Sequence, residues 1–196
     1  MLDKIKRYWK IATEGWQGYI TYAVLGILLA YLVNFVLGYF LETDLPLVAV
    51  VSSSMSHKPE NNLLCGKYVI NYDNSFENYW NACKETLIYF NITKNDFMNF
   101  PFRNGLEVGD VAVIKGEKNY KVGEIIVYSP SSSRYPIIHR IVYVNQDGSY
   151  QTKGDHNNGQ LPYEKRIEQK QIHGKVIFVI PYIGWIKVLF VRLIGL

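Results

Sequence analysis

One long uncharged segment constrains this chain more than any other feature. Residues 15–41 include no charged side chain. Within them, the apolar run at 19–40 is long enough to cross a hydrocarbon core, which requires about 20 helical residues. The sequence therefore predicts a transmembrane helix over residues 17–41. A cleavable signal peptide is the alternative, but the run is longer than such peptides use and residues 42–46 form no convincing cleavage site. We interpret the helix as an uncleaved anchor.

The charges on either side of this segment predict its orientation. Residues 1–16 carry four cations and several apolar side chains, and we interpret them as an amphipathic cytoplasmic segment on the membrane surface. After the helix, two acids come first, and no Lys or Arg appears before Lys58. Because cationic flanks stay in the cytoplasm, we expect a single-pass protein of the cell membrane with everything after residue 41 exported. The glycosylation sequon Asn91-Ile92-Thr93 is consistent with that placement.

Composition excludes some functions and leaves one question about cysteine open. The formal net charge of +4 is modest and lies partly at the amino terminus, and no basic run with interleaved aromatics appears, so we expect no nucleic-acid partner. The chain contains 16 Tyr, 9 Phe and 4 Trp, which suits a protein at a membrane interface. Cys65 and Cys83 lack the spacing of a zinc site. We favour two unpaired thiols, although an exported location would also allow a disulfide.

The second half of the chain has the pattern of an all-β unit. Short runs rich in β-branched residues alternate with glycine and turn residues, and Asp147-Gly148 is a hairpin signal. These features predict a mainly β fold, a coiled β-sheet or small barrel in an exported domain at 42–180. The predicted strands are 110–114, 124–128, 137–143, 150–153 and 173–179.

Two other segments are predicted to be helical. Apolar residues at near-helical spacing between 76 and 90 predict an amphipathic helix, and Thr93 with Asp96 three residues later predicts a capped second turn. We interpret residues 60–104, approximately, as a helical insertion that packs over the sheet, with a lid or a membrane-contacting flap as the alternative. Residues 181–196 are apolar and too short to cross a bilayer, so we expect a membrane-associated, interfacial carboxyl-terminal helix.

A cluster of serines directly after the anchor is the first candidate for chemistry. A serine hydroxyl attacks only if a base removes its proton. Among four histidines, His139 is unusual because it interrupts an apolar strand, where an aliphatic side chain is expected. A histidine in a strand is more often a hydrogen-bonded core residue, so the evidence for a base depends on its neighbours. Asp155 follows the next strand and could return to orient the imidazole, although the surrounding residues also suit a turn. Lys153 and Lys115 are alternative bases, since burial lowers the pKa of lysine.

Three motifs follow the anchor in order, together with two strand motifs at 109–113 and 123–128 and a strand exit at 180–185. The three motifs are Ser52-x-Ser54-Met55, Ile138-His139-Arg140-Ile141-Val142 and Thr152-Lys153-Gly154-Asp155-x-Asn157. Their order resembles that of type I signal peptidases. Histidine in the middle motif favours the archaeal and endoplasmic-reticulum branch, because the bacterial branch has lysine there. The similarity covers residues 47–185 apart from 58–103.

This resemblance implies a membrane-bound serine endopeptidase that cleaves signal peptides from exported preproteins. It implies that Ser54 is the nucleophile, His139 the general base and Asp155 the required acid, and that the hydroxyl of Ser52 lies near the oxyanion. No cofactor and no metal is implied. The expected partners are preproteins that carry signal peptides and membrane lipid, with a secretion translocon as a candidate partner.

The resemblance also implies a substrate groove, and the chain departs from the family at one position. The strand that contains Val48 and Val50 would line the groove and take the substrate as an added strand. Family members often have a second aspartate after the Lys-Gly-Asp motif, and here only Glu164 stands nearby as a loose substitute. The competing hypothesis is a non-catalytic, membrane-anchored β-domain that binds peptides or assembles in a secretion complex.

Overall fold

The computed structural model of the protein describes residues 4, 6, 10, 13–133 and 135–193. The chain divides into two compact units, residues 1–40 and residues 41–196. The amphipathic segment predicted for residues 1–16 lies largely outside the described residues.

The first unit contains helix α1, Gly15–Leu41. Its mean hydropathy reaches 2.2 over the most apolar window, and none of that window is buried against other parts of the protein. Within the described part of the chain it is the one helix long and apolar enough to cross a membrane. Apolar side chains such as Leu29 and Phe35 are exposed around it. The predicted apolar helix is therefore confirmed, and its surface suits a lipid environment better than water.

The second unit is built on a six-stranded antiparallel sheet that curls into a half-barrel. All five predicted strands are confirmed, with ends that differ by at most one residue. The order across the sheet is β1-β4-β8-β5-β6-β7, and β2 and β3 form a separate hairpin. The strands are β1 (Leu47–Ala49), β2 (Leu63–Leu64), β3 (Lys67–Tyr68), β4 (Val111–Lys115), β5 (Ile125–Tyr128), β6 (Ile137–Val144), β7 (Tyr150–Lys153) and β8 (Ile172–Ile180).

Strand β6 is buried on both faces over most of its length, so its polar side chains lie in the interior. It pairs with β5, where His139 is opposite Ile126, and with β7, where Arg140 is opposite Lys153. The turn from β6 to β7 contains the predicted hairpin signal: Gly148 has a φ of +81°. That left-handed conformation costs glycine little.

The predicted insertion is helical. Helix α2 spans Phe76–Ile88 and helix α3 spans Lys94–Met98, and the capping pair Thr93 and Asp96 is present as predicted. A separate hydrophobic cluster fills the insertion, with Tyr79, Leu87 and Phe97 among its buried members. The insertion thus has a core of its own beside that of the sheet.

The preference for two free thiols is wrong, because Cys65 and Cys83 form a disulfide. The cysteines are 18 residues apart in sequence, yet their Cα atoms are 5.3 Å apart, within the reach of a disulfide. Helix α2 packs against the short strand β2 and so brings them together. Sequence spacing alone does not show such a contact.

The last helix in the described part of the chain is α4, Trp185–Leu193. Its first turn packs under the sheet: the Gly184 amide donates to the carbonyl of Gly109 at 2.8 Å, and Val188 is buried. Gly109 has a φ of +93°, and a Cβ there would lie 2.3 Å from the indole nitrogen of Trp185, so only glycine fits. The other face of α4 exposes apolar side chains, including Ile186 and Leu193.

Candidate active site

Ser54 lies just beyond the end of β1, on a 3-10 turn at Ser53–Met55. Backbone pairing continues past the strand, because the amide of Val50 donates to Asp110 at 2.8 Å and Gly109 donates to Val50 at 2.9 Å. Met55 is completely buried in the sheet core and anchors the turn from the other side. The turn is therefore fixed at both ends, and the half-buried Ser54 hydroxyl projects between them.

The structure brings Ser54 and His139 together, although 85 residues separate them. His139 Nε2 lies 3.0 Å from Ser54 Oγ. This distance is within hydrogen-bond reach, as required for a nucleophile and its general base. The imidazole is almost fully buried and lies in β6, whose register with β5 holds it in place.

A carboxylate contacts the other nitrogen of the same imidazole, and it belongs to Glu164. His139 Nδ1 lies 2.5 Å from Glu164 Oε1. Glu164 is completely buried on a 3-10 turn at Pro162–Lys165, and its second oxygen accepts from the amide of Leu161 at 2.6 Å. A proton on Nδ1 directed at this carboxylate leaves Nε2 free to accept the proton of Ser54. Hydroxyl, imidazole and carboxylate thus form a continuous chain.

Asp155 bonds to Arg140 and His57, which corrects the expectation that it would orient the imidazole of His139. Its carboxylate accepts from Arg140 Nε at 2.9 Å and Nη2 at 2.7 Å, and from His57 Nε2 at 2.9 Å. The reason is strand register. Lys153, the last residue of β7, pairs with Arg140, so the segment that follows the strand begins beside Arg140 and the Asp155 side chain turns back onto its guanidinium. His139 points to the opposite face.

The electrostatics of Asp155 match this position. Burial opposes its ionisation, but the charge of Arg140 and the hydrogen bonds from His57 and Arg140 outweigh burial and hold the pKa of Asp155 well below its usual range. Arg140 is itself completely buried. Asp155 is therefore an ionised partner in a closed ion pair.

Gly154 permits the close approach of strands on which the site depends. A Cβ at this position would lie 2.7 Å from the carbonyl oxygen of Ser54 and 2.9 Å from His139 Nε2. The backbone amide of His156, two residues after Gly154, donates to the same Ser54 carbonyl at 2.9 Å. The segment after β7 thus contacts both residues of the pair, and a larger side chain at Gly154 would push them apart.

The other residues named from the sequence have mixed placements. Ser52 Oγ is exposed and lies 3.1 Å from Ser54 Oγ. Val48 and Val50 are 9% and 1% exposed and belong to the sheet core, so their side chains do not line a groove. Strand β1 is one of the two edge strands of the described sheet.

The lysines proposed as alternative bases fit less well. Lys153 is buried, and burial lowers its pKa to about 8 although Asp155 and Glu164 favour the charged form. Its ammonium donates to the carbonyl of Gly154 at 2.9 Å. Lys115 lies in β4, opposite Lys175 of β8. His139 is the base candidate that the structure places on the Ser54 hydroxyl.

Sequence reasoning treated Glu164 only as a loose substitute and gave no role to His57 or Gly154. A signal existed for Glu164, since it is the carboxylate nearest to the position of the family's second aspartate. His57 is the one imidazole close to Ser54 in sequence, but that proximity does not show its contact with Asp155.

A serine hydroxyl bonded to an imidazole that is bonded in turn to a buried carboxylate is the arrangement of serine hydrolases. Comparison with known proteins narrows this class. No family model matches the chain. The chain is 35% identical over 77 residues to the "Signal peptidase complex catalytic subunit SEC11" of Colletotrichum graminicola, which covers 35% of this chain and 45% of the relative. It is 30% identical over 90 residues to the protein of the same name from Dictyostelium discoideum, which covers 41% and 50%.

These matches support a relationship to the signal peptidase I family, of the endoplasmic-reticulum type. The chain spans about half the length of the curated relatives it matches.

Proposed function

We propose that the chain is a membrane-bound serine endopeptidase that removes signal peptides from exported preproteins. The observation that carries the proposal is the contact of Ser54 Oγ with His139 Nε2, with Glu164 on the other side of the imidazole. The names of the relatives, catalytic subunits of a signal peptidase complex, support the same activity. They also support action as a subunit of such a complex.

The arrangement supports acyl transfer in two steps. His139 takes the proton of Ser54 as the hydroxyl attacks the scissile carbonyl, and Glu164 stabilises the imidazolium that forms. The imidazolium then protonates the leaving amine, which leaves an acyl-enzyme on Ser54. Water attacks the acyl-enzyme with His139 again as the base. The Ser52 hydroxyl and the Ser54 amide would stabilise the negative charge on the oxygen in each tetrahedral intermediate.

The edge of the sheet next to Ser54 suits an extended peptide. Strand β1 presents its outer edge, and Ser52, directly before the turn that contains Ser54, is extended at φ −126° and ψ 159°. A substrate would add to it as a further strand through backbone hydrogen bonds. Val48 and Val50 would contribute through their backbones, while Ala49 and Val51 lie on the more exposed face.

Helix α1 would cross the membrane with its amino terminus in the cytoplasm, and α4 would lie in the interface. The exposed side chains Ile186, Leu189 and Leu193 recur at helical spacing along α4 and form an apolar stripe. Such a stripe suits the lipid boundary. The partners would then be preproteins with signal peptides and membrane lipid, with a secretion translocon as a candidate.

The test is cleavage of a preprotein by the full-length chain in detergent micelles. We expect Ser54→Ala and His139→Ala each to lower kcat by about 10⁴-fold or more, because residues that act as a unit lose nearly everything singly. Ser53→Ala and His173→Ala are matched controls that should keep the activity. Wild-type rates in both site variants would refute the mechanism. Binding of preprotein without cleavage by the wild type would instead support the non-catalytic hypothesis.

A further inference from the structure

A second imidazole–carboxylate pair lies beside the site, and the proposed mechanism does not use it. His57, three residues after Ser54, is buried, and its Nε2 lies 2.9 Å from Asp155 Oδ2. The face of the imidazole lies flat on the ring of Tyr79, with ring centroids 3.5 Å apart and planes inclined by 1°. Tyr79 therefore holds the imidazole of His57 on its ring face, and Asp155 holds it at its edge.

Through Tyr79, the pair is tied to the insertion. Tyr79 lies on α2, and its hydroxyl donates to the backbone carbonyl of Asp155 at 3.1 Å. The amide of Cys65 donates to the neighbouring carbonyl of His156 at 3.0 Å. Because Cys65 is linked to Cys83 of α2, both contacts come from one cross-linked part of the insertion. The insertion therefore holds the backbone of residues 155–156.

That same backbone contacts the proposed catalytic pair. The amide of His156 donates to the carbonyl of Ser54 at 2.9 Å, and Gly154 lies against Ser54 and His139. A displacement of residues 154–156 by a few tenths of an ångström would change the distance from hydroxyl to imidazole. Rates of proton transfer and attack are sensitive to such shifts, since a misplacement of about 1 Å can cost roughly a hundredfold.

Arg140 and His57 both bond to the carboxylate of Asp155, but they contact it from different sides. Arg140 contacts Asp155 from the sheet, and its remaining donors bond to the carbonyls of Pro101, Gly123 and Phe102. His57 contacts Asp155 from the insertion side. Burial lowers the pKa of His57, and the bond to Asp155 opposes this only in part, so the environment favours the neutral imidazole, which has one N–H for the carboxylate.

We propose that His57 is a positioning residue: its bond to Asp155, made from the surface of Tyr79, fixes the segment 154–156 against Ser54. The site's geometry then depends on the insertion, whose function the sequence leaves open. This inference rests on the proposed function, because it concerns the rate of the same cleavage. It assigns His57 no contact with substrate.

The experiment compares His57→Gln with His57→Leu in the full-length chain in detergent micelles, with the same preprotein. The glutamine amide can place a donor near the position of Nε2, whereas leucine has similar size and no donor. We expect His57→Leu to lower kcat by about tenfold to a hundredfold, with KM changed by less than about twofold. His57→Gln should restore most of kcat. Both rates are normalised to the folded fraction from near-UV circular dichroism, so a loss of stability alone leaves kcat unchanged.

Equal kcat in wild type and folded His57→Leu would overturn the inference, and so would equal losses in the two variants. Tyr79→Phe keeps the ring and removes the bond to the Asp155 carbonyl, so it serves if His57→Leu does not fold. It should lower kcat severalfold at constant KM, and a wild-type kcat would again overturn the inference. Ser54→Ala is measured in parallel: wild-type cleavage that does not depend on Ser54 would refute the proposed function itself.

Discussion

Two histidines in this protein share one pattern of contacts and differ in the third group that each imidazole contacts. His139 and His57 are both buried, and each bonds to a carboxylate that is itself buried, Glu164 and Asp155. The other ring nitrogen of His139 contacts the hydroxyl of Ser54, whereas the ring face of His57 is covered by Tyr79. The difference teaches that an imidazole–carboxylate pair is not reactive in itself. The third partner decides what chemistry is available.

The two carboxylates differ in charge balance as well. Asp155 is paired with Arg140, which also lies 5.0 Å from the centre of the Phe97 ring. Its negative charge is therefore compensated permanently. The carboxylate of Glu164 bonds to the His139 imidazole and to the backbone amide of Leu161. Its charge can stabilise a proton that arrives on His139 during the reaction, while Asp155 stabilises structure.

Among the variants that test the contrast between the two carboxylates, the largest effect should come from Glu164→Gln. The amide keeps the shape of the side chain but can donate to Nδ1, which would select the wrong imidazole tautomer and remove the charge opposite the imidazolium. We expect kcat for preprotein cleavage to fall by about 10³- to 10⁴-fold.

Glu164→Asp is the matched control, since it keeps the carboxylate on a shorter side chain and should retain more activity than the glutamine variant. A kcat for Glu164→Gln close to that of the wild type would show that the two pairs do not differ as described.

The main effect of Asp155→Asn should be a lower free energy of unfolding, and not a change in the chemical step. It leaves the Arg140 guanidinium buried without its counter-charge, and breaking a buried ion pair typically costs about 3–5 kcal/mol. The measurement is the free energy of unfolding of the full chain in micelles, from denaturant titration.

Glu168→Gln provides a control, because Glu168 faces Lys170 in an exposed ion pair. Its unfolding midpoint should stay near that of the wild type. If Asp155→Asn were equally stable, the contrast between a structural and a reactive carboxylate would be lost.

Removal of the disulfide tests whether the insertion and the sheet are stabilised separately. We expect Cys65→Ser with Cys83→Ser to lower the free energy of unfolding by about 2–4 kcal/mol, because the cross-link closes a loop in the unfolded chain. Amides of α2 should lose protection from hydrogen exchange before those of β6.

Uniform loss of protection in α2 and β6 would instead show a single cooperative unit. Addition of a reductant to the wild type should reproduce the effect, and the double variant should not respond to it.

The smallest effect concerns pH and His57. Its pKa is lowered in the folded state by burial, so below the ordinary value of 6.5 the unfolded chain binds the proton more readily. The contribution to stability is complete above pH 6.5 and is lost as the pH falls toward the folded pKa. The slope is at most about 1.4 kcal/mol per pH unit.

The unfolding free energy of wild type and His57→Gln is compared between pH 8 and 5. The charged and titratable groups around His57 are Asp155, Arg140, Tyr79 and Glu107. The lowered pKa of Asp155 adds a loss of the same sign only below its ordinary value of 3.8. Identical slopes in the two proteins would show that His57 is not buried in its neutral form.

Much of the fold follows from local patterns. The uncharged run predicted α1, the β-branched runs predicted the strands, and the cap at Thr93 predicted α3. These succeed because a helix or strand depends on the spacing of apolar residues along one segment. His139 was identifiable for a related reason, since a polar residue in an apolar strand is a local anomaly.

The partners of these residues were decided by the tertiary structure. The sequence favoured Asp155 as the acid for His139 and two free thiols, and both were wrong, because pairing depends on strand register and on which helix packs where. A shift of one residue turns a side chain to the opposite face of a sheet. The sequence by itself therefore determined the residue types and the elements that contain them. Only the folded chain decided that Glu164 contacts His139 and that Asp155 belongs to Arg140 and His57.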